Sequence, residues 1–150
     1  MEEVYCIGVT GVSFEAAHVT RTNHRDYGLH GHTYSIDAEV CIRGRLGEYD
    51  MVFDVTVLKR YLEEIARSFD HKLLIGKKQL DETSKIVRVE STRIVILEDV
   101  SQATMESLAK SIARLLHGYL TKEIRVEQGA WLIVRVWQGR NEYATYKIGI

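Results

Sequence analysis

Four of the six histidines, His18, His24, His30 and His32, fall between positions 18 and 32, a concentration that neither helix nor strand patterning produces. His30 and His32 flank Gly31 and lead into a run that alternates apolar and polar residues. As residues i and i+2 of an extended segment they leave the backbone on one face, so two imidazoles can share one ion. His18 closes an earlier β-rich run. If the two runs pair antiparallel across the 19–29 loop, His18 comes beside the other two. Three neutral imidazoles with no fourth protein ligand form the donor set of a catalytic zinc, which keeps one position for water or substrate. Nitrogen donors favour zinc over magnesium or calcium, although iron, nickel and copper also accept imidazole. Exposed loop histidines are the alternative, and spacing alone does not choose between them.

Other polar residues carry two readings each. Asp70 and His71 follow a helical pattern, where they serve either as a helix stop with the imidazole near the negative end or as an acid–base pair titrating near neutrality. Thr104 and Glu106 suit a helix N-terminus as cap and early acid, and Asp54 suits an N-cap. His117 falls on the surface of a helix. Cys6 and Cys41 lack redox or zinc spacing and are too few for a disulfide scaffold, so they are expected to be packing residues within strands. Trp131 and Trp137 share one strand face and are expected in the core.

The elements that must position these groups are visible in the periodicity. Residues 4–14 are β-rich, and over 33–43 Tyr34, Ile36, Ala38, Val40 and Ile42 alternate with polar residues as in a half-buried antiparallel strand. From 55 to 69 the spacing changes to three and four, with Leu58, Leu62, Ile65, Ala66 and Phe69 on one helical stripe. Two β-branched runs within 86–97 suggest a hairpin. A second amphipathic helix is expected from a cap at Ser101 or Thr104 to Leu120, with Gly118 weakening its last turn. Strands over 124–138 and 143–149 close the chain. This order predicts an α+β fold in which two helices pack on one face of a four-stranded antiparallel sheet. Its edge strands are expected to pair between subunits.

With 20 Lys and Arg against 21 Asp and Glu, the 150 residues carry no cation excess for nucleic acid or a membrane surface. No apolar run reaches the roughly 20 residues of a membrane span. The start Met-Glu-Glu lacks the pattern of a signal peptide, and the expected compartment is the cytoplasm. No linker or repeat divides the chain, so residues 1–150 are read as one domain.

Five segments, in order and spacing, carry a resemblance: Phe14-Glu15-Ala16-Ala17-His18, Leu29-His30-Gly31-His32-Thr33-Tyr34, Met51-Val52-Phe53-Asp54, Asp70-His71-Lys72-Leu73-Leu74 and Thr104-Met105-Glu106-Ser107-Leu108-Ala109. Together they resemble the 6-pyruvoyl-tetrahydropterin and 6-carboxytetrahydropterin synthase family. The resemblance implies a tunnelling fold (T-fold) whose subunits form a barrel, usually a hexamer of two trimers, with zinc on His18, His30 and His32. It also implies a pterin-like substrate, 7,8-dihydroneopterin triphosphate, from which triphosphate is eliminated. His71 with Asp70 would shuttle protons, and Thr104 and Glu106 would help form the pocket.

Two positions depart from that pattern. Many members carry a catalytic cysteine shortly before His-Gly-His, where this chain has Asn23-His24-Arg25-Asp26, so Asp26 or His24 takes its place. The glutamate that usually anchors the pterin ring is replaced by Gln138. A carboxylate accepts from both ring donors, whereas an amide offers one acceptor and one donor group. Either the ring is held less tightly, or Glu142 helps, or the heterocycle differs. The leading expectation is a zinc-dependent lyase. The alternatives are a zinc-containing T-fold protein that binds a pterin- or purine-like ligand without that reaction, and an aldolase-like cleavage to a 6-hydroxymethyl pterin.

Overall fold

The alternating run after His32 builds the longest ladder of the molecule. In the computed structural model, which describes residues 1–21, 28–86, 90, 93–126 and 129–150, β1 (Val4–Thr20) and β2 (Gly28–Arg43) pair antiparallel. The register contains one extra residue in β1, because Val9 faces Ala38 while Val12 faces Ile36. Gly11 takes φ +75° at this bulge, and its N–H donates to Asp37 Oδ1 at 3.0 Å. The insertion reverses the parity of β1. Phe14, Ala16 and His18 therefore turn to the same side as Tyr34, His32 and His30.

Asp54 caps α1 (Val55–Phe69), accepting from Thr56 N–H at 3.0 Å. Leu58, Leu62, Ile65, Ala66 and Phe69 then bury the stripe seen in the sequence. Thr104, not Ser101, caps α3 (Met105–Glu123) by accepting from Ser107 N–H at 3.3 Å. This helix runs past Gly118 because Glu123 is tied to Arg60 of α1 at 2.6 Å and to the Tyr61 hydroxyl. The two helices cover one face of a sheet completed by β5 (Trp131–Gln138) and β6 (Glu142–Gly149).

The four antiparallel strands are as expected, but the sheet is larger and mixed. Beyond β1 it adds β3 (Lys72–Gly76) and β4 (Ile94–Leu97), both parallel, in the order β4-β3-β1-β2-β5-β6. Of the hairpin expected over 86–97, residues 87–89 and 91–92 lie outside the described residues; Ile86 ends a short helix, α2 (Leu80–Ile86), and β4 pairs with β3. The apolar Leu73, Leu74 and Ile75 present a longer, buried partner than a neighbouring segment would. Residues 124–126 are not strand, since the α3 cap at Ile124 takes up that stretch.

Two further expectations are corrected. Cys6 and Cys41 are not packing thiols; they face one another across β1 and β2 and form a disulfide. Trp131 and Trp137 are half-buried on the sheet face away from the helices, where Arg43 and Lys147 lie over the Trp131 ring and Trp137 packs on Tyr143. Odd-numbered β5 residues point away from Leu132, Val134 and Val136, which occupy the core.

Candidate active site

The strand pairing brings His18 opposite His30, and His32 follows two residues along. His18 is only 2% exposed. The His32 ring centroid lies 5.0 Å from that of His18 and 4.9 Å from that of His30, and one nitrogen from each ring falls within 4.8 Å of the others.

Proton positions on these rings follow from their other contacts. His18 Nδ1 lies 2.6 Å from the Ala103 carbonyl oxygen, and His30 Nδ1 lies 3.2 Å from that of Gly28. A carbonyl oxygen only accepts, so both Nδ1 atoms carry hydrogen. In neutral rings each Nε2 then presents a lone pair, yet the two Nε2 atoms face each other at 2.9 Å. Two lone pairs so close repel unless a proton or a metal cation lies between them. Ligands on a tetrahedral zinc at about 2.0 to 2.1 Å stand about 3.4 Å apart, so a shared ion asks the two rings to separate by only about half an ångström. The donor set and tautomers therefore fit zinc, with the Ala103 carbonyl orienting His18 from behind. Gly76 is needed for that contact. A Cβ there would come within 2.4 Å of the Ser101 backbone, displacing the segment that carries Ala103.

Two cavities flank the histidines. The smaller, about 180 Å³, is lined by His18, His30, Thr104, Glu106, Gln138 and Glu142, among others. It brings the expected substrate-binding residues Thr104, Glu106 and Gln138 to two of the expected ligands. Thr104 thus both caps α3 and faces the cavity. The larger and more open cavity, about 720 Å³, is bordered by His32, Thr33, His71, Lys72 and Arg93.

Asp70 and His71 form a held pair at its rim. His71 Nδ1 lies 2.9 Å from Asp70 Oδ2, while Asp70 Oδ1 accepts from Glu15 N–H at 2.8 Å and the His71 N–H donates to Glu15 O at 2.6 Å. The Glu15 backbone bond, then the His71 ring, holds the Asp70 carboxyl below the usual carboxylate range. His71 adopts φ +55°, a left-handed conformation that places the ring back over the acid. With Nδ1 engaged, Nε2 is the nitrogen left to exchange protons.

Tyr34, fully buried and stacked on Phe14 at 5.2 Å, supports the cluster from below, and burial pushes its phenol pKa up. His24 and Asp26 lie outside the described residues. His117 sits on α3 and borders neither cavity. Lys72 and Arg93 were not singled out from the sequence. Lys72 directly follows Asp70-His71, which was a usable signal, but Arg93 comes near only through the parallel β3–β4 pairing.

This site can be set beside known proteins. A model of the family described as 6-pyruvoyl tetrahydropterin synthase matches residues 8–148. The chain belongs to this family. A protein of Pyrococcus horikoshii provisionally named 6-carboxy-5,6,7,8-tetrahydropterin synthase is 29% identical over 119 residues, covering 77% of this chain and 72% of its own length. One of Methanocaldococcus jannaschii with the same provisional name is 26% identical over 149 residues, covering 91% and 90%. Among solved structures, the 6-pyruvoyl tetrahydropterin synthase of Plasmodium falciparum aligns with a TM-score of 0.75 at 16% identity over 98% of this chain and 99% of that one. A Plasmodium vivax 6-pyruvoyltetrahydropterin synthase in which a catalytic glutamate is replaced by alanine aligns with a TM-score of 0.74, also at 16% identity, over 99% of each. These structural likenesses show the tunnelling fold. In this member the three histidines cluster, Asp70 pairs with His71, position 138 is glutamine, and there is no free cysteine among the described residues.

Proposed function

We propose that the protein is a zinc-dependent carbon–oxygen lyase acting on 7,8-dihydroneopterin triphosphate with elimination of triphosphate. The observation that carries this reading is the convergence of His18, His30 and His32, one nitrogen of each within 4.8 Å of the others, with Nδ1 of His18 and His30 turned to backbone carbonyls. His18, His30 and His32 would hold the zinc, which when bound lowers the pKa of coordinated hydroxyls and stabilises negative charge developing beside them.

The chain's own residues divide the remaining work. We assign the smaller cavity, lined by Thr104, Glu106 and Gln138, to the ring, which these polar side chains would orient by hydrogen bonds. His71 Nε2 takes up and returns the carbon-bound proton. Asp70 fixes the ring's tautomer and steadies its protonated form, as a carboxylate paired with imidazole does. Lys72 and Arg93 border the same open cavity as His71 and suit the polyphosphate end of the substrate. Both cysteines are held in the Cys6–Cys41 bridge, so the second proton-transfer group is not a thiol. We assign it to Asp26 or His24. The Plasmodium vivax protein has a catalytic glutamate, and Asp26 is the carboxylate of these two candidates. The substrate is small, and copies of the chain are expected to join through their sheets into a barrel, as a hexamer of two trimers, because β4 and β6 are edges.

The test is release of triphosphate from 7,8-dihydroneopterin triphosphate by the purified, zinc-loaded protein. His71→Ala should lower the rate about 10²- to 10⁴-fold, the usual worth of a general acid–base group. Absence of release above a no-enzyme control would contradict the proposal. Identification of the product separates pyruvoyl, carboxy and hydroxymethyl outcomes.

A further inference from the structure

Gln138 puts an amide, where the family resemblance implies a glutamate, into the cavity assigned to the heterocycle. Strand parity shows what stands beside it. On β5, Gln138 has the parity of Leu132, Val134 and Val136, which are fully buried beneath the helices. Its side chain therefore leaves on the helix side, at the end of the sheet where His18 and His30 lie. Glu142 is its direct partner across β5 and β6, and shares parity with the half-buried Ala144, Tyr146 and Ile148. Directly opposed residues put their Cβ atoms about 4.5 to 5.5 Å apart on one face. Both side chains line the same cavity of about 180 Å³.

We infer that Gln138 and Glu142 together read the ring, with Glu142 supplying the carboxylate that position 138 lacks. The inference rests on the assignment of that cavity to the ring. A 2-amino-4-oxo heterocycle presents along one edge a carbonyl acceptor, a ring N–H donor and an exocyclic amine donor. The Gln138 amide matches the first two: Oε1 accepts from the ring N–H while Nε2 donates to the carbonyl, giving two parallel bonds. The Glu142 carboxylate accepts from the exocyclic amine with charge assistance. Among the described residues no cation forms an ion pair with Glu142, so the carboxylate is not committed to one. The pair therefore selects 2-amino-4-oxo rings over 2,4-dioxo rings. In the latter the amine becomes a carbonyl oxygen, and two acceptors would face each other.

The experiment measures the affinity of the intact zinc-loaded protein for pterin and for lumazine, its 2,4-dioxo counterpart, by fluorescence titration. Wild type should prefer pterin by about 10- to 100-fold, the value of one charge-assisted bond set against an unpaired acceptor. Glu142→Gln, at an exposed position, should reduce the preference to less than about threefold, because an amide can turn its amine toward either ring. The exchanged variant Gln138→Glu/Glu142→Gln should restore it. If wild type prefers pterin and Glu142→Gln leaves that preference unchanged, the role of Glu142 is overturned while the ring assignment stands. If wild type binds neither compound, the ring assignment fails and the inference with it.

Discussion

At the scale of single residues, chemistry here depends on protons being held in place. His18 and His30 each donate through Nδ1 to a backbone carbonyl, which leaves Nε2 of both rings as the donor for the proposed metal. Asp70 likewise fixes Nδ1 of His71. Its depressed pKa has a consequence for stability. A carboxyl held below its ordinary value stabilises the fold fully above that ordinary value, and the contribution is lost as pH falls through the folded pKa. Asp70→Asn should therefore lower the melting temperature at pH 7. It should also make the fall in melting temperature below about pH 4 shallower than in wild type. Parallel melting curves for the two proteins between pH 6 and 3 would contradict this. The three histidines, Asp70, His71 and Thr104 stand out in the sequence by residue type and short spacing, but spacing leaves two readings for each and only the family resemblance implies their roles. Glu142 is anticipated beside Gln138 from the sequence, and the β5–β6 register makes the two direct partners. Arg93 is hidden, because it comes to the cavity of His71 through pairing with a strand that lies some twenty residues earlier.

At the scale of elements, β1 and β2 carry the account, because they hold all three candidate ligands. Their alternation and the two helical stripes are readable from periodicity, and the four antiparallel strands follow. The bulge at Gly11 is not readable from alternation alone, yet it decides which face His18 occupies. The parallel β3 and β4 were missed because short apolar runs are ambiguous in pattern: Ile94, Val95, Ile96 and Leu97 suit a local hairpin equally well. The Cys6–Cys41 bridge was missed because pairing requires the register, which places the two residues directly opposite each other. That bridge closes a loop spanning 35 residues and including the three histidines. In the chain-entropy view such a link is worth about 3 to 4 kcal/mol, chiefly by restricting the unfolded chain. Reduction, or the Cys6→Ser/Cys41→Ser double variant, should lower the melting temperature by several degrees and leave the zinc content unchanged. An unaltered melting temperature in both would show that the bridge does not restrain the folding chain.

At the scale of the whole molecule, the helices occupy one face of the sheet, and the end of the sheet beyond them is where the chemistry collects. The N-terminus of α3, the last residue of β5, the first of β6 and the paired ends of β1 and β2 meet there around the histidines. The smaller cavity lies on the side of His18 and His30, and the larger, bordered by cations and His71, lies on the side of His32. A substrate with a flat hydrogen-bonding ring, a short hydroxylated chain and a polyanionic tail suits that order. Among the described residues no helix is long and apolar enough to cross a membrane.

The central claim is that the three histidines hold a zinc ion, and metal content tests it most directly. Protein purified without chelators from zinc-containing medium should contain about one zinc per chain by elemental analysis, and His30→Ala, which removes one ligand, should fall well below half of that. Wild-type protein with less than about a tenth of an equivalent of any transition metal would contradict the account.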